Sequence, residues 1–319
     1  MRILFYTNEL QWGMPETDGS LPLTGVGQYR VGLPAEALAR WGGHETYVVP
    51  ELLIERDTGR IGGRTFQGET VEPTEIVVLQ RPVTPELADE VRTARAPGQV
   101  VIGETDDYLF GRLNMAVNPA IQAACKKVLL ACDAITVSTP YIAERLRSWA
   151  PSIHVVRNAI DPSQWGEPED VSDGPVLGWT GIVFERPGDI EMLSGWLGPF
   201  MERHDLRFIH SGDQGEHSFA ELAKVDPERV ITRPAIAFRD YAASRPLNEV
   251  DIQLIPIASS NFNEGKSALK GLESAACGVP FVASPHDEYR RVGFGRVAGS
   301  SLASQKSRHW QGALEALLD

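Results

Sequence analysis

Short apolar runs separated by longer amphipathic stretches set the pattern of this chain. Runs at 1–7, 45–49, 75–80, 99–103, 134–138 and 153–156, then at 176–180, 205–212, 229–232, 251–257 and 279–284, have the length and β-branched content of strands. Most lack polar alternation, as strands buried on both faces do. Between them, helical periodicity predicts helices over about 25–41, 84–95, 118–131, 140–149, from 189, over 216–224, 239–245 and 263–278, and a last one over 305–318. Residues 51–70 read as a polar excursion, and 286–299 as a glycine-containing connection. Strand–helix alternation of this kind predicts an α/β fold with parallel sheets. The 319 residues hold two units of about 150 each, so the expectation is two Rossmann-like doubly wound domains facing a central cleft, the default ligand site. The expected boundaries are 1–161, 162–304 and a C-terminal helix, 305–319, packing back on the N-terminal domain. The Gly/Pro/Asp-rich stretch 162–175 is the linker candidate.

One stretch, 261–280, organises the rest. It joins two apolar strands through a helix for which Asn263 is the expected N-cap and Gly278 with Pro280 the expected stop. At about 100° per residue, Lys266, Lys270 and Glu273 share a narrow face, flanked by the apolar Leu269, Leu272 and Ala276. Lys266 falls in the expected first turn, where the helix dipole disfavours a cation by a few tenths of a kcal/mol. A phosphate at that terminus answers the mismatch. A solvated Lys/Glu face is the alternative, and periodicity alone does not separate the two.

Other candidates lie in loops after strands, where parallel α/β folds bind ligands. The long loop 8–26, with Gly13, Pro15, Gly19 and Pro22, ends in Gly25-Val26-Gly27 at a helix start; the glycine pair lacks the third glycine of a dinucleotide fingerprint and equally suits a tight turn. After the strand at 99–103 come Glu104, Asp106 and Asp107, fit to contact an acceptor, to hold a divalent metal or to cap a turn, with acceptor contact preferred. Gly181 follows a strand, and Arg186 on the next loop can reach an anion or stay solvated. His210, at a strand end, is either a nucleotide contact or a satisfied core histidine.

Composition narrows the classes. A net charge of −13 argues against a broad basic surface for nucleic acid, and no apolar run reaches membrane-spanning length, so a soluble, cytoplasmic protein is expected. Cys125, Cys132 and Cys277 are too few and scattered for a disulfide framework or a zinc site.

These residues resemble a family. Gly25 to Val49, Asp133 to Asp161 with Val137-Ser138-Thr139 and Asn158-Ala159-Ile160-Asp161, and above all Asn263-x-x-Lys266-Ser267-x-x-Lys270-x-Leu272-Glu273-x-x-Ala276-x-Gly278-x-Pro280 are similar to glycosyltransferases of the GT-B type. Within that type the likeness is to the retaining family-4 group and its compact bacterial and phage members, and it spans nearly the whole chain. The resemblance implies an N-terminal acceptor-binding domain and a C-terminal nucleotide-sugar-binding domain. It implies that Glu273 takes the ribose hydroxyls of the donor, that Lys266 and Ser267 contact its diphosphate, and that Arg186 is a second cation there. Gly265, Asn263, Gly181, His210, Gly25 and Gly27 complete the expected donor surroundings, and Asp106 or Asp107 orients the acceptor. The implied reaction transfers a hexose from a UDP-sugar such as UDP-glucose, or from a GDP-sugar, to a hydroxyl of a modified DNA base, a phage structural protein or a glycan, in the host cytoplasm if the gene is a phage's. No metal and no further cofactor are implied. The larger family has a glutamate eight residues before the ribose-binding one; here that position is Gly265, with Glu264 displaced by one. Alternatives are a non-catalytic nucleotide-sugar-binding protein, a sugar-nucleotide epimerase or a phosphorylase-like enzyme.

Overall fold

The computed structural model describes all residues except 10–22, 56, 83–84, 94–95, 111–118, 167–173, 216–217 and 245. Outside the described residues fall most of the expected loop 8–26, the middle of the linker candidate 162–175, and ends of the helices expected at 84–95, 118–131, 216–224 and 239–245. The chain divides into two compact units: Met1–Asn158 together with Gly265–Ser267, and Ala159–Glu264 together with Ala268–Asp319.

The first unit contains β1 (Arg2–Thr7), β2 (Glu45–Val49), β3 (Glu51–Ile54), β4 (Ile61–Arg64), β5 (Thr70–Val71), β6 (Ile76–Gln80), β7 (Val100–Thr105), β8 (Ala134–Val137) and β9 (Ile153–Val155). Six of these form a wholly parallel sheet in the order β2-β1-β6-β7-β8-β9. Successive side chains of β1 serve opposite cores: Ile3 and Phe5 pack with Val31 and Ala35, whereas Leu4 and Tyr6 pack with Val77, Leu79, Leu87 and Val128. That explains the unbroken apolar run, since each buried aliphatic side chain contributes about 1.5–3 kcal/mol on either face. The polar excursion expected at 51–70 is corrected to a small antiparallel sheet, β3-β4-β5. Buried Gln99 ties it down, exchanging hydrogen bonds with the Ile61 backbone at 2.8 Å and donating to the Thr74 carbonyl at 2.7 Å.

The helix expected from Gly25 starts where predicted, with Thr24 as its cap, and runs to Arg40 through a π-helical stretch, Gln28–Gly32. Pro34 has no N–H for the Arg30 carbonyl, so the regular ladder cannot pass through this turn.

The second unit contains β10 (Val176–Thr180), β11 (Arg207–Asp213), β12 (Val230–Pro234), β13 (Ile252–Ile255), β14 (Phe281–Ala283) and β15 (Ser300–Leu302). They form a parallel sheet in the order β12-β11-β10-β13-β14-β15, of which β15 is unanticipated. Leu177, Trp179, Phe200, Phe208, Phe219 and Leu254 fill one face; Trp165, Val176, Ile209, Val250 and Val279 fill the other. The helix Ser307–Leu318 packs its Trp310 and Leu314 into the first of these cores, with the Trp310 and Trp196 rings 6.2 Å apart. Ala313, Leu317 and Leu318 of the same helix pack against that core as well.

Each sheet reverses its strand order once, between β1 and β6 in the first unit and between β10 and β13 in the second. Parallel α/β sheets offer their ligand crevices at the carboxyl ends of the strands at such points. We expect Trp310→Ala to cost about 3–5 kcal/mol, as for other large core truncations. It should appear as a lower urea midpoint by circular dichroism; an unchanged midpoint would contradict this packing.

Candidate functional site

Charged and small side chains gather at both reversal points. In the first unit, Thr7 at the end of β1 donates to Gln80 at the end of β6 over 2.7 Å. The next residue, Arg81, sits at φ +40°, a region that costs non-glycine residues energy. That backbone aims its guanidinium into three carboxylates: Glu9 at 3.0 Å, Asp106 at 3.0 Å, and Asp107. Burial works against its charge, but Asp106, Asp107 and Glu9 together hold Arg81 protonated well above its ordinary value. Asp107 also accepts from Lys266 Nζ at 2.5 Å. A second buried pair stands beside this cluster. Arg30 Nε donates to Glu104 at 2.7 Å, while its Nη1 reaches the Val156 carbonyl at 2.7 Å and Asn158 at 2.8 Å. Asn158 donates on to Ser267 Oγ at 3.0 Å, and Thr139 donates to the Gly265 carbonyl at 3.2 Å. Gly265, Lys266 and Ser267 are therefore each held by a polar side chain of the first unit.

Gly27 belongs to the same neighbourhood. A Cβ there would stand 2.9 Å from the Glu9 carbonyl oxygen, so only glycine allows this approach. Thr24 accepts from the Gly27 N–H at 3.2 Å and donates to Glu9 at 3.1 Å, which makes Gly25-Val26-Gly27 a capped helix start.

In the second unit, β10 ends at Thr180, and Gly181 follows at φ +144°. Its N–H donates to the Ser211 carbonyl at 2.8 Å, and its own carbonyl accepts from His210 Nε2 at 3.0 Å. His210 is fully buried between Trp179 and Phe219, and burial lowers its pKa. Of the two readings of His210, its burial and its bond to the Gly181 carbonyl accord with the satisfied core histidine, which here supports the Gly181 turn. Lys270 Nζ donates to the Thr180 carbonyl and to Thr180 Oγ1 at 3.2 Å, and stands 5.3 Å from the centre of the Trp179 ring. Glu273 is only 5% exposed. Burial pushes the Tyr241 hydroxyl well above its usual range, the Glu273 charge adds to that shift, and a hydrogen bond with Thr180 opposes it, so Thr180, Tyr241 and Glu273 share one neighbourhood. The solvated Lys/Glu face is thereby set aside for Lys270 and Glu273.

Two expectations for the central stretch are corrected. The helix is Leu269–Ala276, and Asn263 is not its N-cap: Asn263–Gly265 forms a separate 3₁₀ turn. Asn263 Nδ2 instead donates to Asp189 at 2.9 Å and to the Ala258 carbonyl at 2.8 Å, while Asp189 also accepts from Ala258 N–H at 2.7 Å. Lys266 consequently precedes the helix rather than occupying its first turn. The stop at Gly278 stands as expected, at φ +71°. Arg186 precedes the short helix Pro187–Glu191 without a side-chain cap bond, and its guanidinium lies 5.5 Å from the Phe262 ring centre.

Of the sequence candidates, the first unit gathers Asp106, Asp107 and Lys266, and the second gathers Gly181, His210 and Glu273. The sequence reading missed Arg81, Arg30, Thr180 and Asp189. Arg81 and Thr180 carried a usable signal, since both stand at carboxyl ends of strands, the same reason Asp106 and Asp107 were singled out. Among the described residues, no group of three or more His, Cys, Asp or Glu side chains is placed to hold a metal ion, and no helix is long and apolar enough to cross a membrane.

No protein-family profile and no curated protein matches the chain by sequence. Solved structures do match. Anabaena Alr3699/HepE, solved in complex with UDP and glucose, superposes with a TM-score of 0.63 at 13% identity over 99% of this chain and 89% of its own. The fold is that of GT-B glycosyltransferases. An alpha-glucosyltransferase solved with UDP and a 13-mer DNA containing an HMU base gives a TM-score of 0.59 at 11% identity, over 99% of this chain and 89% of its own. TarM gives 0.54 at 10% identity over 84% of this chain, which spans 56% of TarM's length. At these identities the likeness is one of fold.

The buried pair in the first unit yields a pH prediction. Burial pushes Glu104 up to about 7, against the opposing charge of Arg30. Because the folded pKa is the higher one, Glu104 favours the fold most below its unfolded pKa of about 4.3, and that contribution is lost as pH rises through about 7. Denaturant midpoints between pH 4 and 8 should therefore carry a falling component that Glu104→Gln removes. A variant with the unchanged slope would contradict this assignment.

Proposed function

We propose that this chain is a glycosyltransferase that moves a hexose from a nucleotide-diphosphate sugar, a UDP-sugar ahead of a GDP-sugar, to a hydroxyl acceptor with retention of configuration. The observation that carries this reading is Glu273, a buried carboxylate whose charge bears on Tyr241, itself hydrogen-bonded to Thr180 at the reversal point of the second sheet. Support also comes from the motif from Asn263 to Pro280 and from the likeness to folds solved with UDP.

In this reading Glu273, an acceptor-only group, receives both ribose hydroxyl donors. Lys266 and Arg186 offset the charge that builds on the diphosphate as its bond to the sugar carbon breaks, an effect of a few kcal/mol for each well-placed donor. No metal is needed for that role. Ser267 donates to a phosphate oxygen. Gly181 lets backbone approach the donor without a side chain intervening. The acceptor oxygen forms the new bond to the sugar carbon, its proton passing to the released diphosphate, and Asp106 orients that hydroxyl. The net charge of −13 disfavours a modified DNA base as acceptor relative to a glycan or a structural protein.

Release of UDP from UDP-glucose, or of GDP from GDP-mannose, tests the reading. Glu273→Gln and Lys266→Met should each lower turnover at least 100-fold while circular dichroism shows the fold retained. Full turnover in either variant would remove that residue from the donor site.

A further inference from the structure

The run Asn158-Ala159-Ile160-Asp161 takes no part in the proposed transfer, yet its first residue stands in a chain of bonds that ends on Ser267. Asn158 lies three residues beyond β9. Arg30 Nη1 donates to the Val156 carbonyl at 2.7 Å and to Asn158 Oδ1 at 2.8 Å, which uses both of its hydrogens, and Asn158 Nδ2 donates to Ser267 Oγ at 3.0 Å.

A direction is imposed along this chain. A guanidinium has donors only, so the amide oxygen of Asn158 must face Arg30, and the amide nitrogen is left to face Ser267. Arg30 is itself fixed. Its Nε is held by Glu104 at 2.7 Å, both side chains are at most 4% exposed, and it sits in the π-helical stretch Gln28–Gly32, an irregularity that recurs at functional sites.

Ser267 has a single hydroxyl hydrogen. Because its oxygen accepts from Asn158, that hydrogen points away from Asn158 and serves an acceptor elsewhere. Among the described residues none takes it up, and Ser267 makes no bond to the backbone of the helix that begins two residues later, so it is not a helix cap. Ser267 is also only half-buried. A phosphate oxygen, which accepts and does not donate, matches an O–H held in this way beside the Lys266 ammonium.

We infer that Asn158, turned by Arg30, is a positioning residue that aims the Ser267 hydroxyl hydrogen at a phosphate oxygen of the donor. The inference rests on the donor reading above. A hydroxyl set in advance loses less freedom when the ligand arrives, so Asn158 contributes to affinity without touching the ligand.

Asn158→Asp keeps the size of the side chain and its bond to Arg30 but replaces the amide donor by an acceptor, so Ser267 turns its hydrogen back onto position 158. Titration calorimetry with UDP and GDP compares the parent, Asn158→Asp, Ser267→Ala and the double variant. For whichever nucleotide binds, Ser267→Ala should lower affinity about tenfold, the size of one hydrogen bond to a charged group. Asn158→Asp should lower it at least about tenfold in the parent, through the lost bond and the added charge. In the Ser267→Ala background only the charge still acts, and the loss should be at least about threefold smaller. Asn158→Leu is the uncharged control: it should weaken binding about threefold in the parent and leave it unchanged in the Ser267→Ala background. A merely structural Asn158 would give equal losses in both backgrounds, and that result overturns the positioning role while leaving the donor site in place. Ser267→Ala binding as tightly as the parent overturns it too. A parent protein that binds neither nucleotide overturns both ideas. Should Asn158→Asp fail to fold by circular dichroism, Asn158→Leu carries the same comparison.

Discussion

Because every strand pair in the two six-stranded sheets is parallel, the carboxyl ends of all six strands in a unit emerge on one edge, and the loops leaving that edge must hold whatever chemistry the unit performs. Where the strand order reverses, neighbouring loops part in opposite directions and leave room. Thr7, Gln80 and Arg81 occupy that place in the first unit, and Thr180 with Gly181 occupies it in the second. The polar residues at these points are buried or half-buried, and they are tolerable there only because charge is matched locally: Arg81 against Glu9, Asp106 and Asp107, Arg30 against Glu104, and Lys270 against the Thr180 carbonyl and the Trp179 ring.

This matching explains how a chain of net charge −13 holds cations at the carboxyl edge of each sheet. Arg81 alone engages three carboxylates, so the acids that sequence inspection assigns to an acceptor are first of all counter-ions of a half-buried guanidinium. Removing one partner from such a cluster leaves a buried charge uncompensated, typically at several kcal/mol. The cluster therefore gives rigidity to Asp107, and through Asp107 to Lys266.

Strands were legible wherever both faces are buried, since short, largely apolar runs such as β1 and β10, bounded by turn residues, fit a strand buried on both sides. The small antiparallel sheet escaped notice because Ile61-Gly62-Gly63-Arg64 shows no alternation, its register being set instead by Gln99 from a distant part of the chain. Ser300-Ser301-Leu302 is too short and polar to announce a strand. Asn263 carries the local signature of a helix cap, but Asp189, far away in sequence, takes its side chain and the helix starts later at Leu269. The candidate site divides the same way. Residues at strand ends, such as Asp106 and Gly181, follow from position alone, whereas Arg30 and Asp189 owe their importance to long-range partners that no spacing rule conveys.

In the proposed function, the carboxyl edge of the second sheet, with Glu273 buried near Tyr241, receives a nucleoside diphosphate. Ligand binding to the folded state stabilises it by about 2.7 kcal/mol at a hundredfold excess over Kd, enough to move a thermal midpoint by several degrees. A thermal-shift screen of UDP, GDP and ADP, alone and as their hexose conjugates, measures this directly. The account predicts a rise with UDP or GDP that Glu273→Gln abolishes; equal midpoints with and without all of these nucleotides would contradict it.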